Sequence, residues 1–112
     1  MISPADGLAP ITGAAAINGT GNTLANIITG NDGNNLLSGG IDRLVDELAG
    51  GLGNDTYDLG ANKNDVLVDI GGAADTILSS VSRNLGDFTD IENLTLTGTA
   101  AINGVGNAGA NV

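Results

Sequence analysis

GNDGNNLLSGGIDRLVDELAGGLGNDTYD, residues 30–58, carries the strongest structural signal in this sequence. Its last nine residues, GGLGNDTYD, have the form G-G-x-G-x-D-x-U-x, in which U is a large apolar residue. Asp55 holds the acidic position and Tyr57 holds the U position. This form is typical of a parallel β-helix, because each unit supplies a glycine-rich turn followed by a short strand.

Related units precede the intact one along the chain. They are GNTLANIIT (residues 21–29), GNDGNNLLS (residues 30–38) and GGIDRLVDELA (residues 39–49). The third is two residues longer than the others, so it must bulge around residues 41–45 or distort a turn. Their acidic positions hold Asn26, Asn35 and Asp46, and their U positions hold Ile28, Leu37 and Leu48.

The spacing predicts a flattened coil in which two nine-residue half-turns complete one turn of a solenoid. Ile28 and Leu48 should then lie on one sheet, and Leu37 and Tyr57 on the other. Turns on one edge are two units apart, so the turn at residues 30–35 should face the turn at residues 50–55. We therefore predict an all-β fold, a parallel β-roll or β-solenoid, with very short strands.

The strict spacing ends after residue 58, but strand signals continue. Residues 65–70 alternate, which places Val66, Val68 and Ile70 on one face. Further strands are predicted at residues 75–79, 88–91 and 93–97, with a turn around Gly86. No segment has convincing helical periodicity; the best candidate is one turn at residues 44–48.

A long internal repeat spans the chain. Residues 11–27 (ITGAAAINGTGNTLANI) and residues 96–112 (LTGTAAINGVGNAGANV) are identical at 11 of 17 positions, at an offset of 85. We interpret residues 11–112 as a single solenoid module, one 85-residue repeat plus the start of the next, cut from a tandem array. Residues 1–10 are predicted to be an irregular lead-in, because Pro4, Gly7 and Pro10 interrupt regular structure.

Composition excludes several classes of function. The formal charge is −10, from 13 acidic and 3 basic residues, so no basic surface exists to bind nucleic acid or anionic membranes. No apolar run approaches the length of a membrane-spanning helix, so we predict no membrane insertion. The chain has no histidine and no cysteine, and no serine lies in a nucleophile motif, so we predict that it is not an enzyme.

The unit GGLGNDTYD and the wider pattern of DVLVDI, DTILSSVS and IENLTLTGTAAINGVGN resemble the RTX family of haemolysin-type calcium-binding repeats. The resemblance covers residues 11–112 and is closest to the tandem units of large secreted bacterial RTX proteins. It implies a right-handed parallel β-roll, type I secretion, and folding triggered by calcium outside the cell. The chain departs from the family pattern at Asn26 and Asn35, where the pattern has aspartate, and at Leu44, where it has glycine.

Calcium is the expected ligand, because it binds six to eight oxygen atoms from carboxylates and carbonyls. Glycine-rich turns can direct carbonyl groups inward, since glycine adopts positive φ, and the aspartate at the end of each turn can add a carboxylate. The alternative for any one aspartate is a turn residue that hydrogen-bonds its own backbone. The predicted metal ligands are Asp32, Gly33, Asn35, Asp46, Gly51, Gly53, Asp55, Asp65 and Asp75, of which Asp46 should serve the opposite edge with Asp65 or Asp75.

Several functions remain open from the sequence. The leading prediction is a calcium-binding structural module of a secreted or cell-surface protein, such as an adhesin or surface-layer protein. Uncovered ends of the solenoid would also let neighbouring repeats or identical modules stack end to end into filaments. The alternative is the RTX tail of a secreted enzyme. An ice-binding face is disfavoured, because no long flat threonine ladder is present.

Overall fold

The chain folds as a parallel β-solenoid of about four turns. A computed structural model describes residues 18–40, 44–61, 65–69, 71, 74–88 and 90–112. The strands are β1 (Asn18–Thr20), β2 (Ile27–Thr29), β3 (Leu36–Ser38), β4 (Glu47–Gly51), β5 (Thr56–Gly60), β6 (Val66–Asp69), β7 (Thr76–Ser79), β8 (Arg83–Asn84), β9 (Asn93–Leu96) and β10 (Gly104–Val105). Within these residues the only helical element is a short 3₁₀ turn at Leu85–Asp87, and no helix is long and apolar enough to cross a membrane.

Successive strands alternate between two sheets, which is what makes the chain a coil. One sheet has the order β1-β3-β5-β7-β9 and the other has the order β2-β4-β6, while β10 pairs with β8. Every pairing is parallel. Equivalent residues in stacked coils are 17 to 21 positions apart. The predicted all-β parallel solenoid is therefore confirmed.

The sequence predicted which U residues lie on the same sheet, and this prediction is also confirmed. Ile28 lies opposite Leu48 in the smaller sheet, and Leu37 lies opposite Tyr57 in the larger one. These four side chains are fully buried. Ile77 extends the larger column beyond Tyr57 and is buried as well. The core is thus two stacked columns of large apolar side chains that face each other across the coil.

The interior of the coil is filled by large apolar side chains. The buried hydrophobic residues are Ile28, Leu37, Leu48, Tyr57, Leu59, Ile77, Leu85 and Ile91, with Leu67, Phe88 and Leu94 packed against them. Each buried side chain of this size contributes about 1.5–3 kcal/mol relative to exposure to water. With strands of two to five residues, this stacking rather than strand length stabilises the fold.

The prediction for residues 65–70 was right about alternation. Val66 and Val68 share a face, and that face points to solvent, because their side chains are 48% and 40% exposed. Leu67 points inward instead, because it pairs with Leu48 of the neighbouring strand, whose side chain is fully buried in the core. Ile70 lies outside the described residues.

Strands predicted at residues 75–79 and 93–97 are confirmed as β7 and β9. The strand predicted at residues 88–91 is wrong. The backbone N–H of Ile91 donates to the carbonyl of Phe88 (3.1 Å), which closes a turn directly after the 3₁₀ turn at Leu85–Asp87. This turn carries Leu85 and Ile91 into the core, so burial there is achieved without strand pairing.

Two predictions fall partly or wholly outside the described residues. The irregular lead-in at residues 1–10 cannot be compared, and of the predicted bulge at residues 41–45 only Leu44 and Val45 are described. Both are about half exposed. No helical turn forms at residues 44–48, since Glu47 and Leu48 belong to β4.

Candidate functional site

The acidic position of each unit lies directly before a strand, and these positions stack into two columns. Asn26, Asp46 and Asp65 precede the strands of the smaller sheet. Asn35, Asp55, Asp75 and Glu92 precede those of the larger sheet. All except Glu92 are buried. Each column therefore runs through the solenoid beside the apolar core rather than on its surface.

Side chains in each column hydrogen-bond the backbone of the preceding coil. In the larger-sheet column, the N–H of Asn35 donates to Asp55 Oδ1 (2.8 Å) and the N–H of Asp55 donates to Asp75 Oδ1 (2.6 Å). The N–H of Asp75 then donates to Glu92 Oε2 (2.9 Å). The column thus links four coils through charged acceptors.

The smaller-sheet column repeats the arrangement. The N–H of Asn26 donates to Asp46 Oδ1 (2.7 Å), and the N–H of Asp46 donates to Asp65 Oδ1 (3.0 Å). Hydrogen bonds to charged groups contribute about 1.5–3 kcal/mol each. One carboxylate oxygen of each aspartate therefore has a structural role that the sequence interpretation did not include.

The glycine-rich turns stack closely. Gly51 and Gly53 have φ of +91° and +96°, a conformation that glycine adopts without steric cost. A Cβ atom on Gly51 would lie 2.8 Å from the carbonyl oxygen of Asn31, and one on Gly53 would lie 2.7 Å from that of Gly33. Carbonyl oxygens of the first turn thus lie close to the glycines of the second.

Further hydrogen bonds hold these two turns in register. The N–H of Gly30 donates to the carbonyl of Ala49 (2.6 Å), and the N–H of Asn54 donates to Asn34 Oδ1 (2.8 Å). The prediction that the turn at residues 30–35 faces the turn at residues 50–55 is confirmed.

Three turns are closed by a pair of asparagines four residues apart. Within the pair Asn31–Asn35, the N–H of Asn31 donates to Asn35 Oδ1 (2.9 Å) and Asn35 Nδ2 donates to Asn31 Oδ1 (3.0 Å). The pairs Asn22–Asn26 and Asn107–Asn111 make the same two bonds. We call these pairs asparagine clasps. The sequence signal for them is the spacing G-N-x-x-x-N, which occurs at residues 21–26, 30–35 and 106–111.

Tyr57 and Arg83 bring further polar groups into the interior. The Tyr57 hydroxyl accepts a hydrogen bond from the N–H of Gly50 (3.0 Å), so this U residue supports the turn as well as the core. Arg83 is buried, and its Nε donates to Ser79 Oγ (3.2 Å). Burial lowers the pKa of the Arg83 guanidinium, and the charge of Asp65 acts in the opposite direction.

The predicted ligands divide into two groups on the two sheets. Gly33, Asn35, Gly51, Gly53 and Asp55 come together at the stacked turns, and Asp75 continues their column. Asp46 and Asp65 form the other column. Of the two partners considered for Asp46, Asp65 lies in the same column and Asp75 lies in the other. Asp32 lies on the same turn as Gly33 but is exposed.

The donors at the stacked turns suit calcium by their chemistry. Carbonyl oxygens of Asn31 and Gly33 lie close to Gly51 and Gly53, where a Cβ atom would collide with them. The carboxylate of Asp55 ends the second turn and is only 1% exposed. Calcium prefers carboxylate and carbonyl oxygens of this kind.

No protein-family model matches the chain, no curated protein sequence is significantly similar to it, and no solved structure matches its fold at a significant level.

Proposed function

We propose that this chain is a calcium-binding structural repeat module of the RTX type, belonging to a secreted or cell-surface protein. The observation that carries the proposal is the stack of two glycine-rich turns, in which the carbonyl oxygens of Asn31 and Gly33 lie close to Gly51 and Gly53. Asp55, which ends the second of these turns, supplies a buried carboxylate.

Burial of acidic groups supports the same proposal. Asp46, Asp55 and Asp75 are at most 1% exposed, in a chain whose formal charge is −10. Ionised groups are costly to bury unless opposite charge or hydrogen bonds compensate them. A divalent cation at the turns would offset part of this negative charge.

The roles of the residues follow from their positions. Asn31, Gly33, Gly51 and Gly53 would offer carbonyl oxygens, and Asp55 would offer a carboxylate that also holds the N–H of Asn35. Bound calcium would neutralise charge and join the two coils. Because the turns come together only when the coils stack, binding would stabilise the folded state.

Calorimetric titration with calcium tests the proposal. We expect saturable heat, together with a rise in the free energy of unfolding that chelator reverses, because calcium binds only when the coils are stacked. Magnesium is the matched control ion, since it demands a smaller octahedral site and dehydrates reluctantly. Absence of calcium-dependent heat, with a free energy of unfolding that is the same in calcium and in chelator, would contradict the proposal.

A further inference from the structure

The charged residues of this chain are divided unevenly between the two sets of linkers that join its strands. One set follows β2, β4, β6 and β8 and leads into the larger sheet, at residues 30–35, 52–55, 70–75 and 85–92. By sequence, these linkers contain no basic residue and six acidic ones, namely Asp32, Asp55, Asp75, Asp87, Asp90 and Glu92. We call them the acidic linkers.

The other set of linkers is balanced in charge. It follows β1, β3, β5 and β7, at residues 21–26, 39–46, 61–65 and 80–82. Its acidic residues are Asp42, Asp46 and Asp65. The three basic residues of the chain all fall within these linkers or directly after them, at intervals of 20 positions, which is the usual length of one coil: Arg43, Lys63 and Arg83. The sequence thus places its positive charge on this set alone.

Of the three basic residues, Arg83 lies within the described part of the chain, and its side chain is inside the coil. It is only 8% exposed. Its Nε donates to Ser79 Oγ (3.2 Å), and its Nη2 lies 3.5 Å from the carbonyl oxygen of Gly60. Gly60 ends β5, where the linker to Asp65 begins. The guanidinium therefore extends from β8 to the coil that carries Asp65.

Asp65 is the carboxylate that interacts with this positive charge. It is 8% exposed and is the last member of the smaller-sheet column, where its Oδ1 accepts the N–H of Asp46 (3.0 Å). Burial lowers the pKa of the Arg83 guanidinium, and the charge of Asp65 opposes that change. A buried ion is costly unless an opposite charge compensates it, so each of these two side chains offsets the burial of the other.

We propose that Arg83 is the internal counter-ion of Asp65 and takes the place of a metal ion at the end of the smaller-sheet column. Because arginine is not deprotonated in proteins, this positive charge is present at every calcium concentration. Asp65 is then part of an ion pair and is not a calcium ligand. Calcium binds instead at the acidic linkers, a consequence that rests on the proposed function, whereas the ion pair itself does not.

A double-mutant cycle in the full chain tests the ion pair. Arg83→Met leaves the Asp65 carboxylate buried without its counter-ion, so urea denaturation should show the unfolding equilibrium constant rising at least about 100-fold. Adding Asp65→Asn removes the second charge and keeps an Oδ1 acceptor for the N–H of Asp46. The double variant should therefore unfold with an equilibrium constant at least about tenfold below that of Arg83→Met.

Two further variants separate the ion pair from general effects of charge and packing. Asp58→Asn, added to Arg83→Met, removes the same charge from an exposed position in β5 and should restore no stability. Arg83→Lys keeps a positive charge without the guanidinium fork and should cost less stability than Arg83→Met. If Arg83→Met alone does not fold, circular dichroism should show that the double variant does.

A double variant that is no more stable than Arg83→Met would overturn the proposal, whether the denaturation curves coincide or both chains fail to fold. An equal rescue by Asp58→Asn would overturn it as well, because the effect would then be one of net charge.

Calorimetric titration with calcium distinguishes this inference from the proposed function. The double variant should bind as many calcium ions as the wild type, because neither changed residue is a ligand. Fewer ions would make Asp65 a ligand and overturn the proposal. If the wild type itself binds no calcium, the proposed function fails, and the rescue of Arg83→Met by Asp65→Asn still decides whether the ion pair exists.

Discussion

Asp55→Asn should abolish the stabilisation of this protein by calcium. At free calcium of about 100 times the dissociation constant, we expect the free energy of unfolding of the wild type to rise by about 2.7 kcal/mol. In the variant it should stay unchanged, because the amide carries no charge and its Nδ2 cannot donate an electron pair to the metal. Urea denaturation in calcium and in chelator measures the difference.

In chelator we expect Asp55→Asn to stay within about 1 kcal/mol of the wild type. The amide oxygen still accepts the N–H of Asn35, which lies 2.8 Å from the carboxylate, and a buried charge is removed. The second carboxylate oxygen becomes an NH₂ group, so one hydrogen-bond acceptor is lost. This loss should lower the free energy of unfolding by roughly the contribution of one hydrogen bond. The variant thus separates metal binding from folding.

Asp58→Asn is the matched control. Asp58 is exposed in β5, three residues beyond Asp55, and its change removes the same charge from the chain. It should leave the calcium response intact. If Asp55→Asn keeps the full response, Asp55 is not a ligand, and the proposed site fails even though the fold stands.

Gly53→Ala should strongly destabilise the stacked turns. The new Cβ would lie 2.7 Å from the carbonyl oxygen of Gly33, and φ is +96°. Positive φ costs alanine about 1–2 kcal/mol, and forcing the coils apart adds about 1–3 kcal/mol. We expect the free energy of unfolding to fall by about 3 kcal/mol, measured by urea denaturation in chelator.

Gly98→Ala controls for the backbone strain alone. Gly98 also has positive φ, +84°, but a Cβ there would meet nothing within 4 Å. The free energy of unfolding of Gly98→Ala should fall by about 1–2 kcal/mol. Equal losses at the two positions would mean that the turns of neighbouring coils are not in close contact, which would contradict the stacking of Gly33 on Gly53.

The stacking partners of the core were predictable because the repeat has a nearly constant length. Residues one coil apart must lie above one another, so the spacing was enough to pair Ile28 with Leu48 and Leu37 with Tyr57. The same constancy predicted that the turn at residues 30–35 faces the turn at residues 50–55. These predictions needed no knowledge of where a side chain points.

The orientation of side chains outside the strict repeat was harder to predict from the sequence. Alternation shows that Val66 and Val68 share a face but does not say which face is inside. Register with Leu48 decided that Leu67 points inward. Likewise, Phe88 and Ile91 are apolar and partly or fully buried, yet a turn positions them, because burial requires only proximity to the core and not strand pairing.

The sequence by itself determined the coil, its two sheets and the residues that stack in its core, because a periodic pattern dictates which residues coincide after each turn. Only the tertiary structure decided that Asp46, Asp55 and Asp75 lie inside the solenoid, each with one carboxylate oxygen on the backbone of the preceding coil. It also decided that Asp75 stacks in the same column as Asp55 and not in the column of Asp46. The physical reason is that a hydrogen bond between residues 20 positions apart depends on the register and separation of two coils, which local sequence does not encode.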